Sequence, residues 1–260
     1  MSVKVAIRAA GLALVLVAGQ AIASEPDFER EARLADEIVD AILDGDPEWL
    51  QADGRDFLGI YTEADDSRAA IVILHGRGFH PDWADAINPL RVGLVERGYT
   101  TLSLQMPVLD KEAKYYDYIP VFHHAHGRIE AGIAFLREQG HEKVVLLAHS
   151  CGVHMALDWI REKKDSSIDA FVGLGMGATD YRQPMHQPFP LDWMRVPVLD
   201  LYGANDYPAV IRLAPSRRKM IEKAGHSASR QAVLPNADHY FTNQGEPLVA
   251  AVADWLDRLE

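Results

Sequence analysis

The feature that most constrains this chain is a set of short apolar runs that recur along its length. They are "AAIVILHG", "YTTLSLQM", "KVVLLAHS", "AFVGLGMG", "VPVLDLYG" and "RQAVLP". Each has the length of a strand, and each is nearly continuous in Val, Ile, Leu and Ala rather than alternating with polar residues. That pattern belongs to strands buried on both faces of a mainly parallel sheet. Between most of the runs lie helix-length amphipathic segments at 83–97, 124–139, 152–163 and 211–224, and another at 246–259 follows the last run. Strand–helix alternation with short connections predicts a doubly wound α/β domain. The alternation begins at "FLGIYTE". Upstream, "SEPDFEREARLADEIVDAILDGDP" predicts a helix with Leu34, Ile38, Val39 and Ile42 on one face, stopped by Gly45 and Pro47.

The first residues predict a different fate. "MSVKVAIR" carries Lys4 and Arg8 without an acid, "AAGLALVLVAG" is apolar, and "QAIAS" supplies small residues at Ala21 and Ala23. This is the order of a secretory leader, with cleavage expected after Ala23. The apolar run falls short of the roughly 20 residues a membrane span needs. The expected organisation is therefore a signal peptide at 1–23 and one domain at 24–260, in the periplasm or secreted, with no stable membrane anchor after cleavage. The sequence of 260 residues is long enough for one large core, and it shows no internal repeat or Pro/Ser-rich linker. Its single cysteine, Cys151, excludes an intramolecular disulfide, and burial is the expectation for a lone thiol in an oxidising compartment. The formal net charge of −12 argues against a nucleic-acid partner and against docking on anionic lipid.

Open α/β sheets carry their sites at the carboxyl ends of the strands. Those ends supply His75-Gly76-Arg77-Gly78, then His149-Ser150-Cys151-Gly152, then Asp206, then His239. Serine, acid, histidine in that chain order is the order of the α/β-hydrolase triad. On these residues the sequence resembles the α/β-hydrolase superfamily over nearly all of the chain after the leader. It is most similar to the compact, lid-poor, dienelactone-hydrolase-like bacterial members. "IVILHGRGFHPDW", "TTLSLQMP" and "LLAHSCG" also resemble an uncharacterised bacterial subfamily. The resemblance implies an α/β-hydrolase fold, doubly wound with a mainly parallel sheet and a minimal lid, and a hydrolytic reaction without a cofactor or metal. It implies no particular substrate beyond a small ester-like molecule.

Two candidate nucleophiles stand side by side. The elbow of this superfamily is sharp enough to need small residues two before and two after its nucleophile. Centred on Ser150 those positions are Ala148 and Gly152; centred on Cys151 they are His149 and Val153. The spacing favours serine. A serine hydroxyl needs a base near neutral pH, and imidazole titrates in the right range. His239, after the last strand and ahead of the last helix, is the expected base. Asp206 is the expected acid, with Asp200 as its rival inside the strand "VPVLDLYG". By the family pattern, the backbone amides of Cys151 and Arg77 would form the oxyanion hole.

Other clusters have weaker claims. "HHAHG" (His123, His124, His126) invites a metal reading, but the spacing does not bring three imidazoles easily onto one ion. Tyr115, Tyr116, Tyr118 and Phe122 either line a substrate pocket or pack a loop. The connection at 178–195 is too short for a cap domain, although Met185, Phe189, Leu191 and Trp193 suffice for a small flap. Two functions follow. One is an exported serine hydrolase acting on carboxylic esters through an acyl-enzyme. The other is a catalytically silent α/β-hydrolase fold retained as a binding or scaffold protein of the envelope, since fold alone does not fix function.

Overall fold

In the computed structural model, residues 24–180 and 183–259 are described, so the expected leader at 1–23 lies outside them. The six apolar runs form β3 (Ala69–Leu74), β4 (Tyr99–Leu104), β5 (Val144–His149), β6 (Ala170–Leu174), β7 (Val198–Asn205) and β8 (Arg230–Asp238). They pair in parallel in the order β4-β3-β5-β6-β7-β8. Along β3, Ala70, Val72 and Leu74 face one side of the sheet, while Ile71 and Ile73 face the other. Both sides are covered. Helices α2 (Ile87–Val95) and α7 (Gly245–Leu256) close the Ile71 side. Helices α4 (His123–Glu138), α5 (Cys151–Lys163) and α6 (Pro208–Ala224) cover the other. With both faces buried, each Leu or Ile contributes on the order of 1.5–3 kcal/mol, which is why these runs do not alternate.

The sheet continues past β4 in antiparallel fashion. β2 (Arg55–Thr62) pairs with β4, and β1 (Asp46–Ala52) pairs with β2, giving eight strands among the described residues. Strand β1 was not expected from the sequence, because its residues are exposed or half-buried and Pro47 weakens the strand pattern. The signal that would have found it is Asp53-Gly54. Both residues have positive φ (52° and 73°), as a two-residue hairpin turn with the right twist requires.

The first helix also differs from expectation. Helix α1 spans Phe28–Val39, capped by the Asp27 carboxylate on the Arg30 amide, and stops short of Gly45. Its buried residues are Glu31 and Ala35; Leu34, Ile38 and Val39 are only half-buried. Glu31 is held by Arg128 at 2.7 Å and accepts from the Val108 amide. A buried carboxylate can face the core only when its charge is met in this way. Leu34 and Ile38 share the face of Glu31 and Ala35, so the expected stripe is the one turned to the core, with a carboxylate at its deepest point.

Segment 115–121 folds as α3 (Tyr115–Tyr118) and a 3₁₀ turn (Ile119–Val121). Tyr118 and Phe122 pack into the core. In the connection from β6 to β7, Phe189 and Leu191 are core residues rather than parts of a flap, and Trp193 lies at the surface.

Candidate active site

The turn between β5 and α5 is one residue long. Ser150 takes φ +55° and ψ −117°, a conformation that L-residues avoid and that persists only where the surroundings enforce it. Its amide donates to the Leu174 carbonyl of β6 at 3.0 Å, which fixes the turn to the sheet. A Cβ on Gly152 would come within 2.6 Å of the His75 carbonyl oxygen and 2.8 Å of that of Leu74. Only glycine fits there. The elbow is thus centred on Ser150, with Ala148 buried two residues before it.

Two further strand ends converge on the serine. Asp206 follows β7 and is buried; His239 follows β8 and is 1% exposed. Asp206 Oδ1 lies 2.6 Å from His239 Nδ1, and His239 Nε2 lies 2.8 Å from Ser150 Oγ. The tautomer that serves this chain has Nδ1–H donating to the carboxylate and Nε2 accepting from the hydroxyl. Asp206 Oδ1 also accepts from the Tyr207 amide at 2.6 Å. Gly175 makes room for the imidazole, because a Cβ there would sit 2.8 Å from His239 Cε1. The Tyr207 ring stacks on His239 with centroids 4.1 Å apart, and its hydroxyl meets that of Tyr240 at 2.6 Å.

The rival acid is occupied elsewhere. Asp200 is fully buried within β7 and accepts from Arg217 Nε and Gln231, each at 2.7 Å. Burial pushes its carboxyl above the usual range, against the opposing pull of Arg217. Three other buried histidines near the strand ends are also engaged. His75 accepts from the Met106 amide and places Nδ1 2.7 Å from the Gly76 carbonyl. Burial lowers its pKa to about 3. His149 bonds the His239 carbonyl at 2.9 Å and His154 that of Ala178 at 2.9 Å; burial brings each to about 4. All three are neutral near pH 7, with Nδ1 or Nε2 donating to a carbonyl. Cys151 is buried, and burial raises its thiol to about 12. A protonated thiol is a poor nucleophile.

Arg77 follows β3 in a loop pressed against the serine: a Cβ on Gly76 would lie 3.2 Å from Ser150 Cβ. Among the described residues, neither the Arg77 amide nor the Cys151 amide has a hydrogen-bond acceptor within the protein. The Cys151 amide lies at the start of α5, where the helix dipole favours negative charge. The Arg77 side chain turns to Asp180, with Nη1 and Nη2 at 2.7 and 3.2 Å from the two carboxylate oxygens. Asp180 also accepts from the Tyr115 amide at 2.5 Å. Burial opposes its ionisation, but these hydrogen bonds outweigh burial and hold its carboxyl below the usual range.

Ser150 opens onto a cleft lined by Arg77, Phe79, Tyr115, Asp180, Tyr207 and Tyr240. Of the aromatic loop, only Tyr115 reaches it. Sequence reasoning missed Asp180, Tyr207 and Tyr240. Tyr207 and Tyr240 had a signal in their adjacency to Asp206 and His239, whereas Asp180 had none. The histidines of "HHAHG" lie elsewhere, His124 3.6 Å from Asp53 and His126 3.0 Å from Asp158. Among the described residues, no group of three or more His, Cys, Asp or Glu is arranged to hold a metal ion.

The sequence matches the family described as "protein of unknown function (DUF3530)" over residues 12–117 and 123–258. No curated protein matches it. Several hundred solved structures do. Est1E from Butyrivibrio proteoclasticus superposes with a TM-score of 0.62 at 14% identity, over 82% of this chain and 98% of that one. An alpha-beta serine hydrolase homologue from Coxiella burnetii gives 0.61 at 16% identity, over 81% and 99%. A dienelactone hydrolase from Anabaena variabilis gives 0.59 at 17%, over 82% and 98%. These likenesses establish the α/β-hydrolase fold.

Proposed function

The chain belongs to the DUF3530 family, and from that premise and the geometry of the serine corner we propose that it is a serine hydrolase of carboxylic esters. The observation that carries the reading is the unbroken chain from Asp206 Oδ1 through His239 to Ser150 Oγ, at 2.6 and 2.8 Å, open to a cleft. Ser150 attacks the acyl carbonyl, and its proton passes to His239 Nε2. Asp206 holds the ring and stabilises the imidazolium that forms. The carbonyl oxygen becomes an oxyanion facing the amides of Cys151 and Arg77. His239 returns the proton to the leaving alcohol as the C–O bond breaks, and water then releases the acyl group by the same steps. Thioesters and amides fall within the same chemistry. The substrate is a small molecule, and no cofactor is required.

Ser150→Ala is expected to lower kcat toward p-nitrophenyl esters by about 10⁴-fold or more. A fluorophosphonate should label Ser150 in the folded protein. Turnover near the wild-type level in Ser150→Ala would overturn the reading, and a folded protein that takes no label would favour a silent scaffold. The basic, apolar and small-residue order of 1–23 supports export to the periplasm or beyond. Sequencing of the mature protein should then begin at Ser24.

A further inference from the structure

We infer that His149, which the mechanism above does not use, is a positioning residue that pegs the loop carrying the base and so sets the reach from His239 to Ser150. The inference rests on the serine-hydrolase reading. His149 ends β5 and directly precedes Ser150, so its backbone belongs to the same elbow that presents the hydroxyl. Its side chain is fully buried, and Nε2 lies 2.9 Å from the carbonyl oxygen of His239, 90 residues on. An imidazole nitrogen that faces a carbonyl carries the proton and donates it.

The other hydrogen bonds of that loop are local. The Tyr240 and Thr242 amides donate to the Asp238 carboxylate, each at 3.0 Å, and the Phe241 amide donates to the Asp238 carbonyl at 3.3 Å. Phe241 and Asn243 take φ of +57° and +56°. A bulky ring holds such a left-handed value only where its surroundings enforce it. His149 is part of those surroundings: its ring centroid lies 5.3 Å from that of His239, 6.5 Å from Tyr240 and 6.1 Å from Phe241. Three successive residues wrap one imidazole.

Burial lowers the pKa of His149 to about 4, so it donates as a neutral ring. It holds the His239 carbonyl without setting a second positive charge 5.3 Å from the ring that gains a proton in the reaction. Asp206 orients the His239 imidazole through Nδ1, and His149 holds its main chain. A displacement of about 1 Å at a reacting group costs on the order of 100-fold in rate.

The test replaces His149 by Gln, Asn and Leu in the full-length protein. The Gln side chain brings an amide nitrogen to the place of Nε2, whereas that of Asn is too short to reach the carbonyl, and Leu has no donor. Fluorophosphonate labelling of Ser150, taken to completion, counts the competent sites, and kcat toward p-nitrophenyl acetate is expressed per labelled site. His149→Asn and His149→Leu should lower kcat per site by about 10- to 100-fold, with KM within about three-fold of the wild type. His149→Gln should return kcat to within about five-fold. Wild-type kcat per site in His149→Asn or His149→Leu would overturn the inference, as would a loss in His149→Gln as deep as that in His149→Asn. Should His149→Leu fail to fold, the Gln and Asn variants decide. Fewer labelled sites at unchanged kcat per site, or no folded protein from any of the three, would leave His149 a purely structural role and overturn the inference as well. A wild type that neither takes the label nor turns over the ester would instead end the serine-hydrolase reading, and the inference with it.

Discussion

Strand β7 and the residue just after it carry two buried carboxylates six residues apart, and they lead different lives. Asp206, at the carboxyl end, faces the His239 imidazole at 2.6 Å and accepts from the Tyr207 amide. Asp200, inside the strand, faces the Arg217 guanidinium, itself fully buried, and Gln231. The same contrast repeats around the serine. His239 holds Ser150 and Asp206, while His149, with its ring 5.3 Å away, bonds only a backbone carbonyl. Ser150 opens on the cleft, whereas Cys151 beside it belongs to the cleft lining but is buried, which pushes its thiol up to about 12. Residue type does not separate these pairs. On the proposed mechanism, what separates them is whether the group's charge is already neutralised by a permanent partner or is kept for one that gains a proton during the reaction. A buried ion pair is a structural debt already met. A carboxylate against a neutral ring stabilises charge only when charge appears.

The sharpest way to break this comparison is to neutralise each carboxylate in turn. Asp206→Asn should lower kcat by about 10⁴-fold by favouring the wrong imidazole tautomer. Its urea midpoint should move little, because no buried cation is left behind. Comparable turnover in Asp206→Asn and the wild type would erase the distinction. Asp200→Asn should do the reverse. Removing one partner of a buried pair leaves Arg217 uncompensated and costs about 3–5 kcal/mol in stability. Turnover per folded molecule should stay close to that of the wild type. A stable but inactive Asp200→Asn would restore Asp200 as the acid.

The histidines sharpen the contrast through pH. His75, His149 and His154 are held neutral, with burial bringing them to about 3, 4 and 4. In the unfolded chain each binds a proton below about pH 6.5. Because the unfolded state then binds more protons, stability rises with pH over that window. The contribution is complete above about 6.5 and is lost as pH falls toward 4, at about 1.4 kcal/mol per pH unit for each ring. Urea midpoints at pH 7 and pH 5 measure the slope. His149→Gln should reduce it by one proton; a slope unchanged in that variant would mean His149 is already protonated in the fold.

Much of the site was legible because the superfamily's geometry is local. Small residues at 148 and 152 identify Ser150 within a five-residue window, and strand-end position separates Asp206 from Asp200. The β3–β8 layer was legible because burial on both faces leaves continuous apolar runs. What escaped depends on contacts distant in sequence. Helix α1 buries Glu31 because Arg128, 97 residues on, meets it. Asp180 joins Arg77 and Tyr115 from across 103 and 65 residues. Strand β1 escaped for the opposite reason: it buries too little to leave a pattern.

The smallest expected effect belongs to Cys151. On the proposed mechanism its backbone amide serves the oxyanion, but its side chain is buried, and burial pushes the thiol up to about 12. Near pH 7 the protonated sulfur cannot compete with a serine that has its own base at 2.8 Å. Cys151→Ala keeps the amide and removes only Sγ, so kcat/KM should stay within about three-fold of the wild type. The loss of one buried atom should cost about 1 kcal/mol in stability. Alkylation offers a second readout, since iodoacetamide should spare the native thiol and modify it once urea unfolds the chain. A collapse of activity as deep as that of Ser150→Ala, or rapid alkylation of the native protein, would move the nucleophile one residue along the chain. It would also show that burial in this corner does not silence a group as it silences Asp200.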